Sequence, residues 1–200
     1  MIAVLLGSGG KGRNVEILSK ELLIEFTGIL GLVTAPISSL KKQKGLGKAK
    51  IATLVALKEI ATRIKYKKLL TQDRFDLPSL LELLHLKALK EVRECFYLVT
   101  LSEEKTLINI DLLARGSLTE VGVYTRDIVK QILDDASKYV IIAHNHPNQS
   151  SQPSREDYLL FHRLRNLLSE LEISLLDHLV IGIDGVHSCE ENRKLVTIPS

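Results

Sequence analysis

The stretch YVIIAHNHPNQSSQPSRED, residues 139–157, changes character twice, and those changes decide how this part of the chain folds. Tyr139 to Ala143 is a continuous apolar run, too short for a free-standing helix, and reads as a buried strand. His144 and His146 leave that strand two residues apart, so on extended backbone their imidazoles share one face, and Pro147 stops the ladder. From Ser154 to Ile173 the apolar residues return at helical spacing. A core strand that hands over directly to a long helix predicts a layered domain of mixed strands and helices.

The same stretch carries the strongest chemical signal. Two imidazoles on one face supply two nitrogen donors, but a tetrahedral zinc site needs about four ligands at roughly 2.0–2.2 Å. Asp157, in the first turn of the helix, is the candidate third donor if the intervening loop folds back. Three protein ligands with one open position is the catalytic pattern, whereas structural sites close with four. A plainer reading competes for the same atoms: Ser154 and Asp157 are spaced as a capping box, in which hydroxyl and carboxylate satisfy free amides at a helix start.

Working outward, Cys95 to Leu101 and Lys105 to Leu113 are strand-like runs around Ser102-Glu103-Glu104, a predicted hairpin. Arg126 to Lys138 is helical, and His178 to Ile183 with Val186 to Cys189 are strands about Asp184-Gly185. Pro78 to Val92 is a helix that opens this domain. The first half has only helix patterns: Val15 to Phe26 with a Val15, Leu18, Leu22, Phe26 stripe, Ile37 to Lys42 after Pro36, and Ala49 to Ile64. In the last of these, Ile51, Leu54, Val55, Leu57 and Ile60 form the expected apolar face. The expected division is therefore a helical domain over 1–70, a linker over 71–77 and an α/β domain over 78–200, giving an α+β chain.

Charge follows that division. Residues 1–70 hold 13 Lys+Arg against 4 Asp+Glu, and residues 71–200 hold 14 against 20, within an overall net charge of +3. The basic half suits a polyanion such as DNA. No apolar run is long enough for a membrane helix and no secretory leader is evident, so no membrane is expected and the cytoplasm is the expected compartment. Cys95 and Cys189 are far apart and outside any Cys-x-x-Cys spacing, which excludes a disulfide framework and a zinc finger; both read as small buried apolar residues.

Taken together, His144-x-His146, seven residues, then Ser154-x-x-Asp157 resembles the JAMM motif of the MPN-type metalloproteases. With Arg115-Gly116-Ser117-Leu118 before it, and Leu176-Asp177-His178 and Gly185-x-His187-Ser188 after it, the chain resembles the bacterial RadC family over nearly its whole length. The resemblance implies an MPN/JAMM-type, cytidine-deaminase-like fold with a mixed sheet. It also implies zinc as cofactor, with His144, His146 and Asp157 as ligands, Ser154 as the hydroxyl that meets a developing oxyanion, and a glutamate as general base. Glu94, in Glu94-Cys95-Phe96, fits the family's Glu-x-Phe pattern; Glu91 is the competing choice and reads as a solvated charge. The implied activity is amide or isopeptide hydrolysis of a peptide or protein substrate. Two departures stand out: Asn148-Gln149 replaces the family's usual Ser-Gly, and the chain starts almost at the Gly7-Ser8-Gly9 loop, as in a shortened form.

The turn Gln43-Lys44-Gly45-Leu46-Gly47-Lys48 joins two helices and is similar to a helix-hairpin-helix unit. Gly45, Gly47 and Lys48, with Lys41, Lys42, Lys44 and Lys50 around them, are candidates for contact with a nucleic-acid backbone. The second function class is therefore a DNA-binding, repair-associated module whose metal is structural or vestigial. Gly7 to Gly12 lacks P-loop spacing and reads as a loop before the helix at Val15. His162 and His85 read as ordinary helix residues, His178 as an orienter of a ligand, and His187 has no assignment.

Overall fold

The computed structural model describes residues 1–9, 14–88, 91–116 and 125–197. Ser117 and Leu118 of the family-like string, and Gly10 to Gly12 of the glycine loop, lie outside the described residues. The chain forms two compact units, Met1–Ile64 and Lys65–Ser200.

The first unit is helical, with α1 (Ile2–Leu6), α2 (Val15–Glu25), α3 (Ile29–Thr34), α4 (Ile37–Lys42) and the first part of α5 (Lys48–Leu70). Asn14 caps α2, its side chain accepting from the Glu16 amide at 2.7 Å. The predicted stripe is partly inside: Leu18 and Leu22 join Leu32, Leu40, Leu46, Ile51 and Leu54 in the core, with Val15 and Phe26 packed at its edge. Gly45 stands at φ +94, and a Cβ there would lie 3.1 Å from the Leu18 side chain, so the turn into α5 needs glycine on both counts. The predicted apolar face of α5 is narrower than expected, because Val55 and Ile60 are 39% and 55% exposed. Only Ile51 and Leu54, near its start, meet this core.

The expected linker at 71–77 is not where the units divide. The division falls between Ile64 and Lys65, inside α5, and Lys65 to Leu70 continue the helix as part of the second unit. Lysines carry good helix propensity, so the basic run extends the helix rather than breaking it. Residues 71–76 connect α5 to α6 (Leu77–Ala88), with Phe75 donating its amide to the Lys105 carbonyl at 2.9 Å.

The second unit is built on a six-stranded sheet in the order β2-β1-β3-β4-β5-β6. Its elements are β1 (Cys95–Leu101), β2 (Leu107–Arg115), α7 (Thr125–Asp134), β3 (Tyr139–Asn145), α8 (Arg155–Glu170), β4 (Ser174–Gly182), β5 (Gly185–Ser188) and β6 (Arg193–Thr197). Only β3 and β4 run parallel, and α8 is the crossover that a parallel pair requires. One face of the sheet packs on α6 through Leu80, Leu81, Leu84, Tyr97, Val99, Ile141 and Leu179. The other packs on α7 and α8 through Phe96, Leu98, Ile128, Ile132, Ile142, Phe161, Leu164 and Val180. With both faces covered, β3 reads apolar from Tyr139 to Ala143 instead of alternating, and only His144 and Asn145 at its end are polar. The mixed α+β architecture expected from residues 139–157 is the architecture found. The strand β6 and the short helices α1 and α3 had no pattern long enough to announce them. Among the described residues no helix is long and apolar enough to cross a membrane.

Both cysteines are buried and free, as the sequence indicated. Burial raises the Cys95 thiol to about 11 and the Cys189 thiol to about 12, so at pH 8 neither presents the nucleophilic thiolate. Thiol titration of the native protein at pH 8 should therefore find no fast-reacting group, and the denatured chain should show both; rapid modification of native protein would contradict the packing.

Candidate metal centre

Sheet register delivers the histidines. β1 pairs antiparallel with β3, setting Phe96 opposite His144, and β3 pairs with β4, setting His144 beside Val180 and Ile142 beside His178. Because side chains alternate, His144, His146 and His178 all point to the face under α8. The helix then supplies Asp157 from its first turn. His144 is 1% exposed and Asp157 3% exposed. His146, at the open side, is half-buried.

The distances converge on one point. His144 Nε2 lies 3.0 Å from His146 Nε2 and 3.1 Å from Asp157 Oδ1, and His146 Nε2 lies 3.6 Å from Asp157 Oδ2. Ligands held about 2.1 Å from a tetrahedral ion are separated by about 3.4 Å, so these three fit a common centre. A second buried triple, His144, Asp157 and His178, has its ligand atoms within 4.8 Å. His178, however, meets His144 at Nδ1, at 2.8 Å, whereas Asp157 meets the same ring at Nε2. One imidazole does not turn both nitrogens to one ion, so His178 is an orienter of His144, as its sequence position suggested.

Proton positions test whether a cation suits the cluster. The Asp157 and Ser150 carbonyls only accept, so His178 Nδ1 and His146 Nδ1, at 3.3 and 3.0 Å from them, carry protons. Burial, then the neighbouring His144, lowers the His178 pKa to about 3, so the ring is neutral and its Nε2 is bare. That nitrogen accepts from His144 Nδ1. Were each ring to keep only its Nδ1 proton, the Nε2 lone pairs of His144 and His146 and the Asp157 carboxylate would all face one centre. Such an arrangement is repulsive until a positive charge sits between them, which is the donor set that a divalent ion satisfies.

Without an ion, imidazole N–H groups stand beside the carboxylate in its place. Burial by itself would raise the Asp157 pKa, but hydrogen bonds from His144 and His146, and then from Ser154, hold it far below the usual carboxylate range. His146 is pushed upward, chiefly by Asp157 against the opposing effect of burial, with Glu94 contributing in the same direction as Asp157.

Both readings of Ser154 and Asp157 have their atoms in place. Ser154 is the N-cap of α8, with Asp157 N donating to Ser154 Oγ at 3.1 Å and Ser154 N donating to Asp157 Oδ2 at 2.7 Å, a complete capping box. The Ser154 hydroxyl also donates to Asp157 Oδ2 at 2.7 Å. Asp157 thus divides its carboxylate: Oδ2 is used largely by the helix start, and Oδ1 faces His144.

Glu94 precedes β1, and continuing the Phe96–His144 register places it opposite His146, on the open side of the cluster. Glu91, the alternative, instead forms an ion pair with Arg115 at 3.3 Å. The sequence reading missed the residue that ties Glu94 down. Asn145, the middle of His-x-His, accepts the Cys95 amide at 2.7 Å and donates to the Arg93 carbonyl at 3.2 Å, clamping the backbone on both sides of Glu94. A buried amide side chain at the end of an apolar strand was the available signal. Asn148, where the family-like loop would have glycine nearby, takes φ +58, a conformation asparagine tolerates. His187 is buried on β5, and its ring nitrogens make no hydrogen bond among the described residues.

The N-terminal candidates lie in the other unit. Gly47 and Lys48 are exposed at the start of α5, while Lys50 turns inward and donates to the Gly9 and Gly45 carbonyls at 2.6 and 3.0 Å. Lys50 therefore holds two glycine loops together rather than joining the exposed lysines.

Comparison with known proteins places the chain in a family. Residues 77–195 match the family model described as RadC-like JAB domain, and residues 1–52 match the UPF0758 N-terminal model. A UPF0758 protein of Burkholderia cenocepacia (strain HI2424) is 36% identical over 189 residues, covering 94% of this chain and 74% of the relative. UPF0758 proteins of Leptothrix cholodnii and Variovorax paradoxus are 37% and 36% identical and cover 98% of this chain and 88% of each relative. The JAB fold is metalloprotease-like, and with a matching family model across the sheet domain and relatives aligned over almost its full length, this chain belongs to the RadC-like JAB domain family.

Proposed function

We propose that the chain is a zinc-dependent hydrolase of amide or isopeptide bonds, with His144, His146 and Asp157 as the metal ligands. The observation that carries this reading is the convergence of His144 Nε2, His146 Nε2 and the Asp157 carboxylate, whose Oδ1 faces His144 at 3.1 Å and whose Oδ2 faces His146 at 3.6 Å, with His146 half-buried and Glu94 across from it. Bound zinc in such a site supplies Lewis acidity, polarising a carbonyl and lowering the pKa of a water to about 7. Glu94 is the general base: it takes the proton of the attacking water and delivers it to the leaving amine. His178 keeps the His144 ring turned so that Nε2, not Nδ1, faces the centre. Ser154 serves the helix start first, and its hydroxyl meets an oxyanion only by turning from Asp157.

Metal analysis of purified wild type should find about one zinc per chain, lost in His146→Ala and Asp157→Ala. Glu94→Gln should keep the zinc while cleavage of a peptide library falls by roughly 10²–10⁴, the usual worth of a general base. Folded wild type without stoichiometric zinc would remove the reading, and full activity in Glu94→Gln would remove Glu94 from it. Ser154→Ala should cost about 1 kcal/mol in chemical denaturation through loss of the cap.

A second reading concerns the first unit. Exposed Gly47 and Lys48 at the start of a 23-residue helix, beside exposed Lys41, Lys42 and Lys44, favour contact with a DNA backbone. Duplex binding should weaken steeply with salt and drop in Lys48→Glu; equal binding by wild type and that variant at low salt would exclude this surface.

A further inference from the structure

Asp184 belongs to none of the roles above, yet it stands at the junction of three segments. It sits in the β4–β5 turn, half-buried, and its two oxygens are shared out. Oδ1 accepts the Ser151 amide at 2.7 Å, and Oδ2 accepts the Ser150 hydroxyl at 3.0 Å and pairs with Lys194 of β6. These bonds, the Lys194 ammonium first, hold its carboxyl well below the usual carboxylate range, so it is an anion throughout the neutral region.

The segment it grips is the loop that carries His146. Within that loop the Ser150 carbonyl accepts from His146 Nδ1 at 3.0 Å, which is the bond that orients the ring and turns Nε2 toward His144 and Asp157. The loop is seated against β4 at two further points: His146 N donates to the Ile181 carbonyl at 2.8 Å, and Ile183 N donates to the Gln149 carbonyl at 2.9 Å. Gly182 lies between them. A Cβ at that position would stand 2.1 Å from Ser151 N, 2.4 Å from the Ser150 carbonyl carbon and 2.7 Å from Gln149 O, all backbone atoms that no side-chain rotation can clear. The loop thus reaches Asp184 only because residue 182 has no side chain.

We propose that Asp184 is a positioning residue for the metal centre, holding Ser150 where its carbonyl orients the His146 ring, with Gly182 making the close approach possible. This rests on the zinc reading above. Neither residue touches the ion. Their effect passes through one hydrogen bond, from His146 Nδ1 to Ser150, and so falls on how well His146 ligates rather than on whether the domain folds. Outer partners of ligating histidines commonly contribute 10–100-fold in metal affinity.

The test is a zinc competition titration against a chromophoric chelator on the full chain, with wild type beside Asp184→Ala, Asp184→Asn, Gly182→Ala and, as a control in the neighbouring turn, Glu191→Ala. Thermal melts of the metal-free proteins run in parallel. Asp184→Ala and Gly182→Ala should each weaken zinc by roughly 10–100-fold. Asp184→Asn, which still offers one oxygen to the Ser151 amide, should fall between, and Glu191→Ala should match wild type. The cobalt-substituted forms should show altered d–d absorption in the two affected variants, a signature of changed ligand geometry that a merely less stable protein would not give. Wild type that binds zinc, with Asp184→Ala and Gly182→Ala within twofold of it, would overturn this inference and leave the zinc reading intact. Wild type that binds none would overturn both.

Discussion

Two imidazole nitrogens and a carboxylate, nearly all buried, point at one spot in the second unit. Brought to 3.0–3.6 Å in a poorly solvated site, their lone pairs repel unless protons or a cation lie between them. Much else in the domain follows from holding that arrangement in place. The protons are fixed by two backbone carbonyls, of Asp157 and Ser150, which allow each ring only one orientation. His178 relays the first of these constraints to His144 from a fully buried position, braced by the rings of Phe96 and Phe161.

The sheet is what makes the cluster rigid. His144 sits on β3, between β1 and β4, and its strand is covered on both faces, so its backbone cannot shift without disturbing two apolar layers. Asp157 comes from the other side of the parallel crossover, at the start of α8, where the capping box fixes its χ angles through Oδ2. The same carboxylate therefore helps start a helix and faces the candidate metal centre, and the two uses are compatible because a carboxylate has two oxygens. Glu94 and His146, at the open side, are held by side-chain clamps from Asn145 and Asp184 instead of by core packing. The candidate site thus lies at the edge of the rigid region, where loops carry the proposed working residues.

The two units differ in charge as well as in fold. Residues 1–64 carry 10 Lys+Arg against 4 Asp+Glu, and the acidic excess lies entirely in the second unit. Because the division falls inside α5, Lys65, Lys67 and Lys68 belong to the second unit, and Lys65 pairs there with Glu82. A count by sequence halves therefore overstates how basic the helical unit is, while keeping its sign.

What the sequence by itself determined is the local and periodic part. The five-residue apolar run, the His-x-His parity and the Ser154-x-x-Asp157 spacing follow from strand and helix geometry, which depends on neighbours along the chain. For that reason β3, α8, the shared face of His144 and His146 and the place of Asp157 in the first turn of α8 were legible, as were the buried cysteines. Where the structure departs from the reading, a distant contact or its absence is the cause: α5 runs through its lysines to Leu70, so the units divide inside that helix and not at the expected linker, and Ile60 stays exposed because the core meets only the start of that helix. Tertiary structure alone decided that Asn145 clamps the Glu94 segment, that the ring His178 meets is that of His144, and that Gly182 lets the His146 loop reach Asp184. Each of these joins segments separated by about 30 residues or more, through a hydrogen bond or a missing Cβ, and neither leaves a period in the sequence for a reader to find.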